Sequence, residues 1–514
     1  MPRFKNPSYA QGKMIPIDFK SQILPGTFEY ALNHIIDNRL NLSVFDHRYK
    51  NDVKGAPAYD PAIMLKIILY AYSLGITTSR DIERCCRHNV IFMALSADTK
   101  PHFTSIADFI SSMDREVGPL FTDVLFMCNE MDLIGKEMFA IDGCKLPSNA
   151  SKEWSGKKTD LEKKKAKIEK AVDYLLKKHR KDDKDEDKAL TLDAREKKSI
   201  DNMTKKLEKL TRWLKENDDR KGKRGTAIKS NITDNESGKM PSSHGVIQGY
   251  NGIAAADSKH QVILHAQAIG TGSEQDSLGP MVAGIKKNLE AVGEKEEVIK
   301  KAKLLADSGF HSEENMKMLS EKEIDAYIAD GRFRKRDPRF ATANRHKNPI
   351  KKEKKERKSK YFRPSDFIHD EERKKAICPA GKEMYLENSN FQVKGARGIV
   401  YRGKISDCRE CTIRSKCMRS PDTKSRQVTF FYDRTKEARE SGSQKMIEKI
   451  DSEEGRKIYS NRMGLIEPVF AHIRSAMGLD RFTLRGRKKV NTQWMLYCML
   501  HNIKKIHRYG AAFA

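Results

Sequence analysis

Two apolar runs, at residues 138–141 and 304–306, each stop at an aspartate, in MFAIDGCKL and LLADSGF. Short continuous apolar runs of this kind read as interior strands covered on both faces. An aspartate closing such a strand is held by the backbone ladder beside open space, and a metal ligand needs that rigidity. Taken singly, Asp142 before Gly143 and Asp307 before Ser308 and Gly309 are ordinary turn formers. Two of them in the same setting point further. A glutamate, Glu467, follows far downstream in YSNRMGLIEPVFAHIRSAMGL. Three carboxylates from distant segments suit Mg²⁺ or Mn²⁺, and a pair of such ions can clamp the attacking and leaving oxygens of a phosphodiester.

The rest of the chain suits the same substrate. Its 99 Lys and Arg outnumber 71 Asp and Glu, a formal charge of +28. Such an excess favours a polyanion, because each neutralised phosphate releases condensed counterions. Hydrophobic residues make up 38% of the 514, enough for a real core and against a disordered tail. No window of eighteen uninterrupted apolar residues occurs, and MPRFKNPSYAQGKMIPIDFK lacks the apolar centre of a signal peptide. The expected location is cytoplasmic and nucleoid-associated, with no membrane partner. Nine cysteines in a long intracellular chain direct attention to their spacing rather than to disulfides.

Periodicity divides the chain. Residues 1–115 read as an N-terminal helical DNA-binding region. There Asp60 caps a helix with Pro61 at its first position, Gly75 supplies a turn, and Thr77, Thr78 and Ser79 open the next helix. The arrangement is helix-turn-helix-like, a pattern shared with plain helical bundles. Residues 116–159 and 223–330 read as two parts of one α/β core, in the order strand, hairpin, helix, strand, helix, strand, which with a late helix is that of an RNase H-like fold. Between them, 160–222 is a charged helical-hairpin insertion, with Ile200, Met203, Leu207, Leu210 and Leu214 forming a short heptad seam against Leu161, Ile168, Val172 and Leu175. Residues 331–445 combine a basic linker with a cysteine-rich insertion, and 446–514 hold the catalytic helix and a basic tail. The 331–363 stretch alone carries fifteen Lys or Arg against three acidic residues.

Cys378, Cys408, Cys411 and Cys417 supply the four thiolates of a closed tetrahedral Zn²⁺ site, with free buried thiols as the alternative. Pro468 requires the helix carrying Glu467 either to kink, eased by Gly464, or to start afresh there. Arg474 lies seven residues beyond Glu467, on nearly the same helical face. Basic residues continue past it, and Arg485, Arg487, Lys488 and Lys489 read as contacts to backbone phosphates.

These residues carry a resemblance. Asp142, Asp307 and Glu467, with Tyr459, Arg462 and Arg474, resemble the DDE triad and the tyrosine, arginine, glutamate, lysine signature of bacterial insertion-sequence transposases. YDPAIMLKIILYAYSLGITTSRDIE, the Gly249-Tyr250-Asn251 hairpin, ADSGFHSEEN and EPVF followed by RFTLRGRKKV are similar to insertion-sequence family eleven-eighty-two. The resemblance implies that Asp142, Asp307 and Glu467 bind catalytic Mg²⁺ or Mn²⁺, that Arg462 and Arg474 contact DNA, and that the activity is cleavage of element ends followed by strand transfer. The implied partner is double-stranded DNA, both element ends and target, held by a homo-oligomer. The chain departs from the signature at Arg474, where lysine is usual, and at the spacing from Arg462 to Glu467, five residues rather than four, which leaves the direction of Arg462 open. A nuclease without strand transfer and a non-enzymatic DNA-binding descendant are the rival readings.

If phosphate neutralisation dominates DNA binding, replacing Lys351, Lys352, Lys354 and Lys355 with glutamine lowers the slope of log affinity against log salt by ~0.9 for each duplex phosphate left without its cation. Titration at several salt concentrations reads the slope, and an unchanged value leaves the run as solvated chain.

Overall fold

The computed structural model describes residues 16–49, 57–182, 194–222, 225–242, 245–340, 342, 361–370, 373–393, 396–434 and 441–510. The four lysines at 351–355 lie outside them. Two compact units form: 1–310 with 324–326 and 460–514, and 311–323 with 327–459.

The first unit is built on a mixed sheet whose strands are β1 (Met138–Pro147), β2 (Gly238–Ser242), β3 (Gly245–Asp257), β4 (Ile263–Ile269) and β5 (Lys303–Ala306). Their order is β5-β1-β3-β2, with β4 also on β3. β3 and β4 are the antiparallel hairpin expected from the alternation on either side of DSKH, while β1 and β5 run parallel. Helix Leu278–Ala291 makes the crossover between β4 and β5, as parallel pairing requires. The alanines of Ile253–Ala256 are fully buried, small enough for layers to close over both faces of β3.

Helix Arg487–Tyr509 covers one of those faces. The Trp494 indole N–H donates to the Ile253 carbonyl at 3.0 Å, and its ring lies where a Cβ on Gly252 would fall, 2.9 Å away. Two asparagines of the helix bond the β4 backbone: Asn502 accepts from Ile263 N–H at 2.8 Å and donates to its carbonyl at 2.9 Å, and Asn491 accepts from Ala268 N–H at 2.8 Å. Eleven helical residues rise ~16 Å and five strand residues ~17 Å, so the two contacts stay in step.

The N-terminal helices join this core. In Pro61–Ser73 the Asp60 carboxylate accepts from Ala62 N–H at 2.7 Å, as the sequence predicts. Eleven of its residues are buried, however, and Tyr72 stacks on Tyr497 with centroids 4.5 Å apart. That helix serves packing. The next, Ser79–His88, is the more exposed, but Arg84 and Arg87 on it pair with Asp81 and Glu83. The charged insertion forms helices Lys158–Asp182 and Ala194–Glu216. Its base is packed through Leu161, Leu210, Trp213 and Ile232.

Two local readings needed the structure. β1 does not end at Asp142 but runs on to Pro147, because β3 continues to pair with it as far as Gly249. The helix carrying Glu467 neither breaks nor restarts at Pro468: it spans Glu453–Ala471 and then widens into a π-helical turn, His472–Ala476. In the second unit a five-stranded antiparallel sheet, Ile368–Asp370 to Gln427–Arg434, follows chain order around Phe367, Met384, Tyr401 and Val428. The first residues of the basic stretch are folded here, with Arg336 paired to Asp330 and Asp451.

Burial holds the imidazole of His265, on β4, at a pKa of about 4, under a helix that can approach because residue 284 is glycine. A depressed histidine pKa contributes stability that is present above its unfolded value near 6.5 and is lost as pH falls through 4. His265→Gln should flatten the fall in unfolding free energy between pH 7 and 4.5 by up to the order of 3 kcal/mol. Urea unfolding at both pH values checks this; an equal fall in variant and wild type refutes it.

Candidate active site

The last register pair of the parallel β1–β5 ladder is Ile141↔Ala306. The next residue on each strand is an aspartate, so Asp142 and Asp307 emerge side by side, on strands ~4.8 Å apart. A guanidinium joins them: Arg462 donates to the Asp142 carboxylate at 2.5 Å and lies 3.5 Å from that of Asp307. Arg462 is 6% exposed. The 320-residue reach from Asp142 to Arg462 answers the direction that the sequence left open.

Burial pushes Asp142 up to about 6; Arg462 and the Gly143 N–H oppose that rise, while Asp307 and Glu274 add to it. The Gly143 amide donates to its Oδ1 at 2.7 Å. Asp142 is thus a carboxylate whose burial outweighs the arginine against it.

Glu274 is the residue that sequence reasoning missed. It is 7% exposed and accepts from the Asn251 amide at 2.8 Å, with the Lys145 amine 3.8 Å away. Its oxygens lie 2.8 Å from where a Cβ on Gly143 would be and 2.0 Å from one on Gly309. The glycines that follow the two aspartates therefore leave room for this carboxylate. Gly143, Lys145 and Asn251 share the face of the sheet opposite Asp142, so Glu274 approaches from the reverse side. Burial raises its pKa, Asn251 and Lys145 oppose, and Asp307 adds to the rise. A glutamate in the polar stretch TGSEQDS has no pattern that could have marked it.

The Gly249-Tyr250-Asn251 motif also acquires physical roles. A Cβ on Gly249 would lie 2.0 Å from the Leu146 carbonyl, Tyr250 donates to Asp234 at 2.8 Å, and Asn251 holds Glu274.

Glu467 is exposed on the helix that carries Arg462, about 140° around its axis from that arginine. Among the described residues, no three His, Cys, Asp or Glu side chains stand close enough together to hold a metal ion. Arg474 neighbours Cys144, two residues past Asp142, and pulls against the burial that pushes this thiol up to about 11. Arg485 donates to the Asn149 carbonyl at 2.8 Å, the Arg487 amide to Glu236 at 2.9 Å, Lys488 lies 3.8 Å from Asp114, and Lys489 is exposed.

Cys378, Cys408, Cys411 and Cys417 are free thiols that line one cavity of about 30 Å³ in the second unit. Burial raises the Cys417 pKa, Arg426 opposes, and the other three thiols add to the rise. No helix among the described residues is long and apolar enough to cross a membrane.

Comparison with known proteins places these parts. Residues 377–507 match a family described as a transposase DDE domain, a stretch that takes in the four cysteines, Arg462, Glu467 and Arg474. Residues 17–112 match a family described as a transposase domain (DUF772). No curated protein matches the chain. Asp142 and Asp307 lie outside both matched stretches. Together the two matches support an insertion-sequence DDE transposase, a polynucleotidyl-transferase type of enzyme that acts on DNA and normally uses a divalent metal.

Proposed function

We propose that the protein cleaves the ends of its own insertion sequence and joins them to target DNA, with Asp142, Asp307 and Glu467 as the metal-binding carboxylates of an RNase H-like core. The observation that carries this reading is the emergence of Asp142 and Asp307 from neighbouring parallel strands with one cation, the Arg462 guanidinium, shared between them. A carboxylate pair that already shares a guanidinium has the donor set and charge for Mg²⁺ or Mn²⁺. The sheet order and the C-terminal helix against it favour the RNase H-like assignment, and the resemblance of EPVF and RFTLRGRKKV to insertion-sequence family eleven-eighty-two favours Glu467 as third ligand.

When bound, the divalent ions supply Lewis-acid stabilisation of the phosphoryl oxygens and of the attacking and leaving groups. The chain's own residues do the rest. Asp142 and Asp307 fix the reacting centre at the end of a rigid ladder, and Glu274 braces the two strands from the reverse face. Arg462 holds the two aspartates together, and Arg474 would neutralise the phosphate. Water attacks phosphorus at the element end, the bond from phosphorus to the 3′ oxygen breaks, and that oxygen leaves as a hydroxyl. The same hydroxyl then attacks a target phosphodiester. One P–O bond forms as one breaks, so no energy-supplying cofactor is required.

In the second unit, Cys378, Cys408, Cys411 and Cys417 line one cavity without standing close enough together to hold a metal as they are, so it is their spacing in the sequence that favours a structural Zn²⁺, which would draw them together and stabilise a small sheet with little core of its own. Arg485, Arg487, Lys488 and Lys489 extend the phosphate-binding surface, and a homo-oligomer would bring two element ends together.

Asp142→Asn, Asp307→Asn and Glu467→Gln keep shape while removing the negative charge that the metal needs. Each should abolish Mg²⁺-dependent cleavage of element-end DNA while leaving duplex binding within a few fold of wild type. Wild-type cleavage by Asp307→Asn would defeat the triad, and hydrolysis without joined products would reduce the protein to a nuclease. Elemental analysis of protein purified with its thiols reduced should find one zinc per chain, a content abolished in Cys408→Ser with Cys411→Ser; no stoichiometric zinc would end that assignment.

A further inference from the structure

Toward its C-terminal end, helix Arg487–Tyr509 lines a cleft of about 520 Å³ with Lys504, Lys505 and Arg508, opposite Gln261, Pro468 and His472. Among the described residues, no carboxylate lines the cleft. Among the described residues, none of the three cations makes an ion pair. Lys504 donates to the Ser73 carbonyl at 3.2 Å and Lys505 to the Gln261 side chain at 3.1 Å. An ammonium has three donors, so each lysine retains two. Both lysines are half-buried, and burial lowers their pKa values. Partly buried cations without a counter-charge are costly, and an anion in the cleft would offset that cost.

The histidines of the cleft sharpen the ligand's chemistry. His501 faces the Gln261 carbonyl at 3.0 Å through Nε2, so that nitrogen donates. Its Nδ1 then accepts from Nδ1 of His472, 2.9 Å away, which leaves Nε2 of His472 as an acceptor. His507 donates from Nε2 to the Gly26 carbonyl at 3.2 Å, which leaves its Nδ1 as an acceptor. The free donors are therefore the two ammonium groups and the guanidinium. They suit a ligand that is anionic and offers only acceptors, as the non-bridging oxygens of a phosphodiester do.

We propose that this cleft seats a backbone phosphate of bound DNA. Lys488 and Lys505 are seventeen residues apart on one helix, so the cleft lies ~26 Å along it from the basic cluster at 485–489. It is a separate anchor for the duplex, beyond the residues the sequence marked. The inference rests on the transposase reading, since that reading supplies the DNA.

The test measures binding of the full-length protein to a random-sequence duplex at several salt concentrations, with inorganic pyrophosphate as competitor. Lys505→Gln and Arg508→Gln should each lower the magnitude of the log–log salt slope by ~0.9, and Lys505→Arg should keep it. Arg508 is exposed, so its variant tests the cleft even where Lys505→Gln fails to fold. Folded variants with the wild-type slope overturn the proposal while leaving the transposase reading in place. An unchanged slope combined with abolished pyrophosphate binding would assign the cleft to free phosphate and also overturn it. A wild-type protein with no affinity for duplex overturns the transposase reading and this inference together.

Discussion

Four residue pairs of parallel strand, Met138↔Lys303 to Ile141↔Ala306, set the geometry on which the candidate site depends. Parallel pairing cannot be made locally, since its strands must be joined by a crossover. Here the connection contains the helical insertion, the β3–β4 hairpin and helix Leu278–Ala291. All of these must fold or be tolerated before two aspartates 165 positions apart can stand beside each other. Because the register ends one residue before each aspartate, a slip of one position would turn one of the two carboxylates to the other face of the sheet.

Electrostatics follow from that placement. Two carboxylates brought together where the parallel ladder ends repel each other, and burial pushes Asp142 up to about 6. Arg462 offsets the repulsion from one side, while Glu274 adds a further carboxylate behind. The site thus gathers Asp142, Asp307 and Glu274 around a single buried guanidinium. The glycines after the aspartates give this arrangement its compactness: a methyl group at Gly309 would fall 2.0 Å from the Glu274 carboxylate.

The C-terminal helix connects the site to the rest of the first unit. Trp494 seals one face of β3, Asn491 and Asn502 hold the β4 backbone, and Tyr497 stacks on Tyr72. The N-terminal helices thereby share a core with the sheet. The same helix carries basic side chains at both ends, so its packing role fixes where those cations stand.

The sequence by itself determined the elements and much of the chemistry. Continuous apolar runs marked β1 and β5, alternation marked the β3–β4 hairpin, and Asp60 with Pro61 marked a helix start, because each signal is local and periodic. The cysteine spacing marked four thiols that do line one cavity. Tertiary structure decided what depends on distant contact. It carried β1 past Asp142, because β3 continues to pair with it. It turned Arg462 inward onto both aspartates and kept Glu467 on the exposed side, a matter of helical phase that a proline and a shifted spacing had obscured. It also buried Glu274 against two glycines. No residue near Glu274 in sequence announces that role, since the groups that give the carboxylate its meaning come from three other segments of the chain.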